Sequence, residues 1–215
     1  MFEVKGNFIT FEGLDGSGKT TVIRNIINFL SDQQKKQFVF TREPGGNQIS
    51  EAIRNIILDQ KNTQMDARTE ALLYAAARRQ HMVETVFPAL NAGKTVLSDR
   101  YVDSSLAYQG AGRQIGVEAI AQINAFATEN LVPDLTFYFE IEPEVGLQRI
   151  QKNRTDEINR LDQEKIEFYK RVHEEYLTLA KQNPQRIKVI DASQSIEQVT
   201  SNVLDILVDF LNLKE

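Results

Sequence analysis

Cysteine and tryptophan are absent from this 215-residue chain, histidine occurs twice and proline five times. Without cysteine there is no disulfide and no thiolate metal site. His81 and His173 lack the close spacing of zinc ligands, so both are expected at the surface or in packing. No stretch of about 18 apolar residues occurs, so no membrane-spanning helix is expected. Met1 to Gly6 carries no apolar core of a signal peptide. A net charge of -5 argues against a broad basic surface for nucleic acid, while leaving room for a locally basic pocket. The expectation is a cytoplasmic protein that engages neither membrane nor nucleic acid.

What the chain does contain is Gly13-Leu14-Asp15-Gly16-Ser17-Gly18-Lys19-Thr20, which fits a phosphate-binding loop. A glycine-rich turn lets successive backbone N–H groups face one concavity, and a helix beginning there adds its positive dipole end. Lys19 is placed to reach the outer phosphates and the Thr20 hydroxyl to hold Mg²⁺. The context agrees. Asn7 to Phe11 is a β-rich apolar run, and Val22, Ile23, Ile26, Ile27 and Leu30 follow at helical spacing. The loop therefore predicts a nucleoside triphosphate site made by Gly13, Leu14, Asp15, Gly16, Ser17, Gly18, Lys19, Thr20 and Thr21.

Further strands are predicted at Phe38–Thr41, Thr95–Ser98, Leu135–Phe139 and Arg186–Ile190, with helical patterns between them. A long one runs from Asp66 to Ala92, burying Ala71, Leu72, Ala75, Ala76, Met82, Val83, Val86 and Leu90, with Pro88 bending its last part. Helical segments between 102 and 131 are separated by Gly110, Gly112 and Gly116. Helices also begin near Glu144, span about Gln163 to Lys181, and close the chain through Ile196 to Leu211. Alternation of strand and helix implies a single α/β domain over residues 1–215, a parallel sheet covered on both faces. Ligands of such sheets sit at the carboxyl ends of the strands, where Glu12, Asp15, Arg42, Glu43, Asp99, Arg100 and Asp191 all fall. Asp99 there suits Mg²⁺, and Arg100 suits a phosphate. Tyr74 with Arg78, and Ser105 with Gln109, are i, i+4 pairs able to stack on and read a base.

Taken in order, Phe11-Glu12-Gly13 with the phosphate loop, Thr41-Arg42-Glu43-Pro44-Gly45-Gly46, Arg68 to Arg79, Asp99 to Ser105, Ala107-Tyr108-Gln109-Gly110 and Asn159-Arg160-Leu161-Asp162 resemble the bacterial thymidylate kinases. The resemblance spans essentially the whole chain. It implies a three-layer nucleoside monophosphate kinase fold with a five-stranded parallel sheet. It also implies transfer of the γ-phosphoryl of ATP to dTMP with Mg²⁺, giving dTDP and ADP on the way to dTTP. Lys19, Asp99, Arg100, Arg154 and Glu12 are then catalytic, with Thr20 and Asp99 at the metal. Glu43, Arg54, Tyr74, Arg78, Arg100, Ser105, Tyr108 and Gln109 surround dTMP, with Tyr74 on the thymine, Arg78 on its carbonyl and Tyr108 against the deoxyribose. Residues 151–160 resemble the family's mobile lid, whose arginine candidates are Arg149, Arg154 and Arg160. A homodimer is implied as well. The stacking position is commonly Phe in this family and is Tyr74 here. A kinase of another small acceptor, a triphosphate-dependent switch and a silent binding module are the rival readings. No Asn-Lys-x-Asp segment of a GTP switch occurs.

Overall fold

The computed structural model describes residues 5–153, 160 and 164–213. Its centre is strand β1, Phe8–Gly13, buried at every position. A strand covered on both faces needs a continuous apolar run rather than an alternating one, which Phe-Ile-Thr-Phe supplies. β1 lies between β3 (Thr95–Asp99) and β4 (Leu135–Glu140), with β2 (Phe38–Arg42) and β5 (Ile187–Asp191) outside them. All four pairings are parallel, so the order is β2-β3-β1-β4-β5. The register aligns Phe11 with Asp99 and Arg42 with Asp99. The strand ends therefore deliver Gly13, Arg42 and Asp99 to one rim.

Helices cover the sheet. α1 (Lys19–Phe29), α9 (Ile166–Gln182) and α10 (Ile196–Leu211) contribute Val22, Ile26, Val172, Tyr176, Val203 and Leu207 to a core that includes Ile9, Phe11, Phe137 and Phe139. Each fully buried side chain of this kind is worth about 1.5–3 kcal/mol relative to exposure. A second cluster joins Phe8, Val96 and Tyr101 to Met82, Val86 and Leu90. The remaining helices are α2 (Asp32–Lys35), α3 (Gln48–Leu58), α4 (Ala67–His81), α5 (Phe87–Asn91), α6 (Val102–Ser105), α7 (Val117–Thr128) and α8 (Pro143–Asn153). Among the described residues no helix is long and apolar enough to cross a membrane.

The long pattern from Asp66 is not one α-helix. After α4 the chain widens into a π-helical stretch, Met82–Val86, where the Phe87 N–H bonds the Met82 carbonyl. The widening precedes Pro88, which sits at the start of α5. Proline has no N–H and its ring crowds the carbonyl four residues back, so a wider turn ahead of it relieves the clash. Of the residues expected inside, Ala71, Ala75, Met82, Val86 and Leu90 are buried, whereas Leu72, Ala76 and Val83 are exposed. Glu70, Arg78 and His81 share the buried face, because Arg113 and Arg160 partner the first and Glu43 partners the other two. Gly110 and Gly112 do not separate helices either. Both lie within a second π-helical stretch, Leu106–Gly112. A Cβ on Gly112 would come within 2.7 Å of the Phe168 ring, so this glycine lets α9 pack closely. Gly116 does mark a boundary, as the N-cap of α7.

Candidate active site

Two hollows share a wall at the carboxyl rim of the sheet. The first is built by the turn between β1 and α1. Gly13 enters it at φ 138, and a Cβ there would sit 2.6 Å from the Phe139 carbonyl oxygen, so glycine is required. Gly18 caps α1 at φ 90, and the helix starts at Lys19. Lys19 folds back into the loop, donating from Nζ to the carbonyls of Gly13 (3.1 Å) and Leu14 (2.8 Å) and to Ser17 Oγ (3.2 Å). Burial, reinforced by the Arg100 charge, lowers its ammonium pKa to about 8. Leu14 itself packs into the core, so its carbonyl is what it gives the loop. Thr20, Thr21, Arg42, Arg54, Asp99 and Arg149 also line this hollow.

Thr20 Oγ1 donates to Asp99 Oδ2 at 3.0 Å. Asp99 Oδ1 is buried and has no hydrogen-bond partner among the described residues. A hydroxyl beside a carboxylate with an unmatched buried oxygen, next to a loop of backbone donors, is an oxygen set that fits Mg²⁺.

The second hollow is a partly open cleft in which several polar side chains converge, as they do in small-molecule sites. Asp15, Glu43, Arg54, Tyr74, Arg78, Arg100, Ser105, Tyr108 and Gln109 line it, together with Pro44, Leu58 and Ser104. The eight residues expected around an acceptor are thus brought together from β2, α3, α4, the β3 end and the α6 region. With Asp15, Glu43 and Arg54, Arg100 forms the shared wall. It sits at φ 74, donates to Asp15 Oδ1 (2.9 Å) and Ser104 Oγ (2.9 Å), and lies 5.0 Å over the Tyr108 ring. Burial works against its charge, but the surrounding Tyr108, Asp15 and Tyr176 hold its pKa well above the ordinary value. Arg54 is tied to the Pro44 carbonyl at 3.0 Å. Its pKa is lowered by burial and by Arg42.

Arg78 is buried and heavily committed. Nε donates to Glu43 Oε2 (2.6 Å), one Nη to Ser105 Oγ (2.9 Å) and Asn124 Oδ1, and the other Nη to the Tyr101 carbonyl (2.9 Å). Four of the five N–H groups a guanidinium carries are placed by these bonds. Glu43 also bonds His81 Nδ1 at 2.9 Å, and His81 Nε2 meets Thr41 Oγ1 at 2.6 Å. Burial favours the neutral Glu43, but Arg78 and then His81 outweigh it and hold its carboxyl below the usual range. His81 is thus the packing residue expected, though in a polar chain rather than an apolar one. His173, half-buried, bonds Glu140.

Some assigned residues fall elsewhere. Glu12 is buried and lines neither hollow. It accepts from the Tyr101 N–H (2.8 Å), Ser104 Oγ (2.5 Å) and Tyr176 OH (3.0 Å), directly behind Arg100. Burial and the nearby Asp103 charge raise its pKa to about 7. Of the three arginines, Arg149 lines the loop hollow and donates to the Ala192 carbonyl at 2.9 Å. Arg160 is buried against the Ile57 carbonyl and Glu70. Arg154, with most of the expected lid, lies outside the described residues. Asp15, assigned to the triphosphate, lines both hollows. Glu70 and Asn124 escaped the sequence reading. Glu70 stands four residues before Tyr74 and eight before Arg78, a helical spacing that signals a shared face. Asn124 has no such signal, because it reaches Arg78 from another helix.

A family model described as Thymidylate kinase matches residues 11–203. The thymidylate kinase of Ligilactobacillus salivarius is 59% identical over 208 residues, 97% of this chain and 100% of that protein. That of Enterococcus faecalis is 57% identical over 206 residues, 96% and 97% of the two chains. A crystal structure of thymidylate kinase from Ehrlichia chaffeensis superposes with a TM-score of 0.75 at 34% identity, covering 94% of this chain and 98% of that one. Sequence likeness over nearly the full length, on the same fold, places this chain in the thymidylate kinase family.

Proposed function

We propose that this protein transfers the γ-phosphoryl group of ATP to dTMP, giving ADP and dTDP in the cytoplasm. The observation that carries the reading is the shared wall. Arg100 stands between a phosphate loop and a partly open hollow whose other side bears a ring, a forked cation, a hydroxyl and an amide. Phosphoryl transfer needs two phosphates aligned and their charge neutralised, with little covalent work by the protein. The loop amides and Lys19 take the donor phosphates, while Arg54 and Arg100 take the acceptor phosphate from the other side. Tyr74 stacks on thymine, Arg78 and Ser105 address its carbonyl edge, and Gln109 meets the ring N–H. Tyr108, held beneath Arg100, lies against the sugar. Mg²⁺, held by Thr20 and Asp99, supplies a Lewis acid that neutralises phosphate charge when bound. Glu12 acts on Arg100 through Ser104 and is a positioning residue in this reading. Arg154 is the arginine we assign to the transferring charge, and Arg149 is its rival because it lines the loop hollow.

ADP release measured with dTMP, dUMP, dCMP, AMP, shikimate or no acceptor tests the reading. Strong dependence on dTMP supports it. Release with a different acceptor discards the base pocket, and slow release without acceptor makes the protein a switch.

Self-association belongs to the same proposal. Leu72 is 57% exposed and Phe126 89%, with Val83 and Ala76 exposed on α4 and the turn after it. Two copies pairing through α4 and α7 would cover these groups. Sedimentation of the wild type as a dimer, and of the F126E variant as a monomer, is the expected outcome.

A further inference from the structure

We propose that Glu70 is a specificity-positioning residue: by accepting the amide N–H of Gln109 it turns the Gln109 carbonyl oxygen toward the base, so that the hollow selects a pyrimidine with a ring N–H. The inference rests on the assignment of the hollow to a pyrimidine nucleotide.

Glu70 is 1% exposed and does not line the hollow. Gln109 Nε2 donates to its Oε1 at 3.0 Å. Arg113 donates to both of its oxygens, at 3.2 and 3.0 Å, and Arg160 donates to Oε2. Burial opposes this carboxylate, but Arg113, Arg160 and Gln109 together hold its carboxyl below the usual range. An ionised carboxylate has lone pairs and no proton, so it only accepts. A glutamine amide is otherwise nearly symmetric in shape, and its two orientations differ only in which end meets a donor. Facing Glu70, the nitrogen end is the only one that forms a bond. The carbonyl end is then what Gln109 presents to the hollow it lines.

An acceptor there matches a ring N–H between two carbonyls, as in thymine. The ring nitrogen of a 4-aminopyrimidine is itself an acceptor, so cytosine would set lone pair against lone pair. Arg78 adds the complementary demand, since its remaining N–H seeks a carbonyl and meets an amino group in cytosine.

Glu70→Gln is the informative substitution. The new amide has one oxygen, and Arg113 and Arg160 both require it, which turns the new NH2 toward Gln109. Gln109 must then accept from it and offer its own NH2 to the hollow. The ratio of kcat/KM for dTMP over dCMP is expected to fall at least tenfold, with KM for ATP unchanged. E70Q/R113Q, which leaves one guanidinium for one carbonyl, gives the same fall in a charge-balanced background should E70Q not fold. A folded variant that loses equally on both acceptors and keeps the wild-type ratio would show Glu70 to be a structural prop, and the proposal would fail. A wild-type enzyme that does not prefer dTMP to dCMP would instead break the pyrimidine assignment before any variant is made.

Discussion

The two hollows are built on opposite plans. The phosphate loop is made of backbone. It is a turn of consecutive residues, and its buried Lys19 rests on carbonyls and a hydroxyl that need no particular partner. The acceptor hollow is made of side chains drawn from several elements, and Glu43, Arg78, Ser105 and Gln109 among them are bonded to other buried polar groups. In the first plan, local chain geometry creates the site and the fold has little stake in its side chains. In the second, the groups that would read the ligand also neutralise one another, so function and stability are the same bonds.

That contrast makes predictions. Lys19→Ala should lower kcat by on the order of a thousandfold, the cost of a lost preorganised donor, while Tm stays within a few degrees because no buried charge is orphaned. Steady-state rates beside a melting curve check both halves. Arg154→Ala should reduce turnover by about a hundredfold or more. A near-normal rate, with that loss in Arg149→Ala instead, moves the charge-stabilising role to Arg149. Arg78→Ala should do what Lys19→Ala does not. It leaves Glu43 buried with only His81, so a loss of about 3–5 kcal/mol in stability is expected, together with a large rise in KM for dTMP and none for ATP. Should Arg78→Ala melt like wild type, the claim that the acceptor hollow doubles as scaffold is wrong.

Acidity offers a subtler comparison. Glu12, whose pKa is raised from 4.5 to about 7, binds more protons folded than unfolded in that interval. Its contribution is full below pH 4.5 and is lost as pH rises through about 7. Lys19, lowered from 10.5 to about 8, binds fewer protons folded, so its burial penalty is full below pH 8 and fades toward 10.5. Glu12→Gln should flatten the pH dependence of Tm between 4.5 and 7 and leave the alkaline side alone. Tyr74→Phe is the smallest effect, a change in KM for dTMP below about threefold, since the stacking ring is retained.

The two plans also explain what could be read from the chain. Gly13 to Thr20 is contiguous, so order along the sequence is order in space. The strands were legible for a similar reason. Phe8–Gly13 and Leu135–Glu140 are apolar runs too short for helices, and their ends fell within two residues of expectation. Polar residues after strand ends did mark the rim. Leu72, Ala76 and Val83 misled because the inner face of α4 mixes Glu70, Arg78 and His81 with small alanines, so apolarity alone does not separate inside from outside there. Both π-helical stretches were invisible, since widening a turn by one residue leaves no periodic mark over five or seven positions. The partners of Arg78 and Gln109 were out of reach for the most part. Asn124 lies 46 residues from Arg78, and only packing brings them together.

Arg100 carries a consequence beyond its contacts. Its backbone occupies the left-handed region at φ 74, where a side chain with a Cβ costs roughly 1–2 kcal/mol relative to glycine. A protein selected in the laboratory for heat resistance alone would therefore have reason to drift toward glycine or asparagine at this position. Such a drift would erase the wall between the two hollows. Retention of arginine there in a thermostable variant would be a record of selection for turnover, legible in one codon.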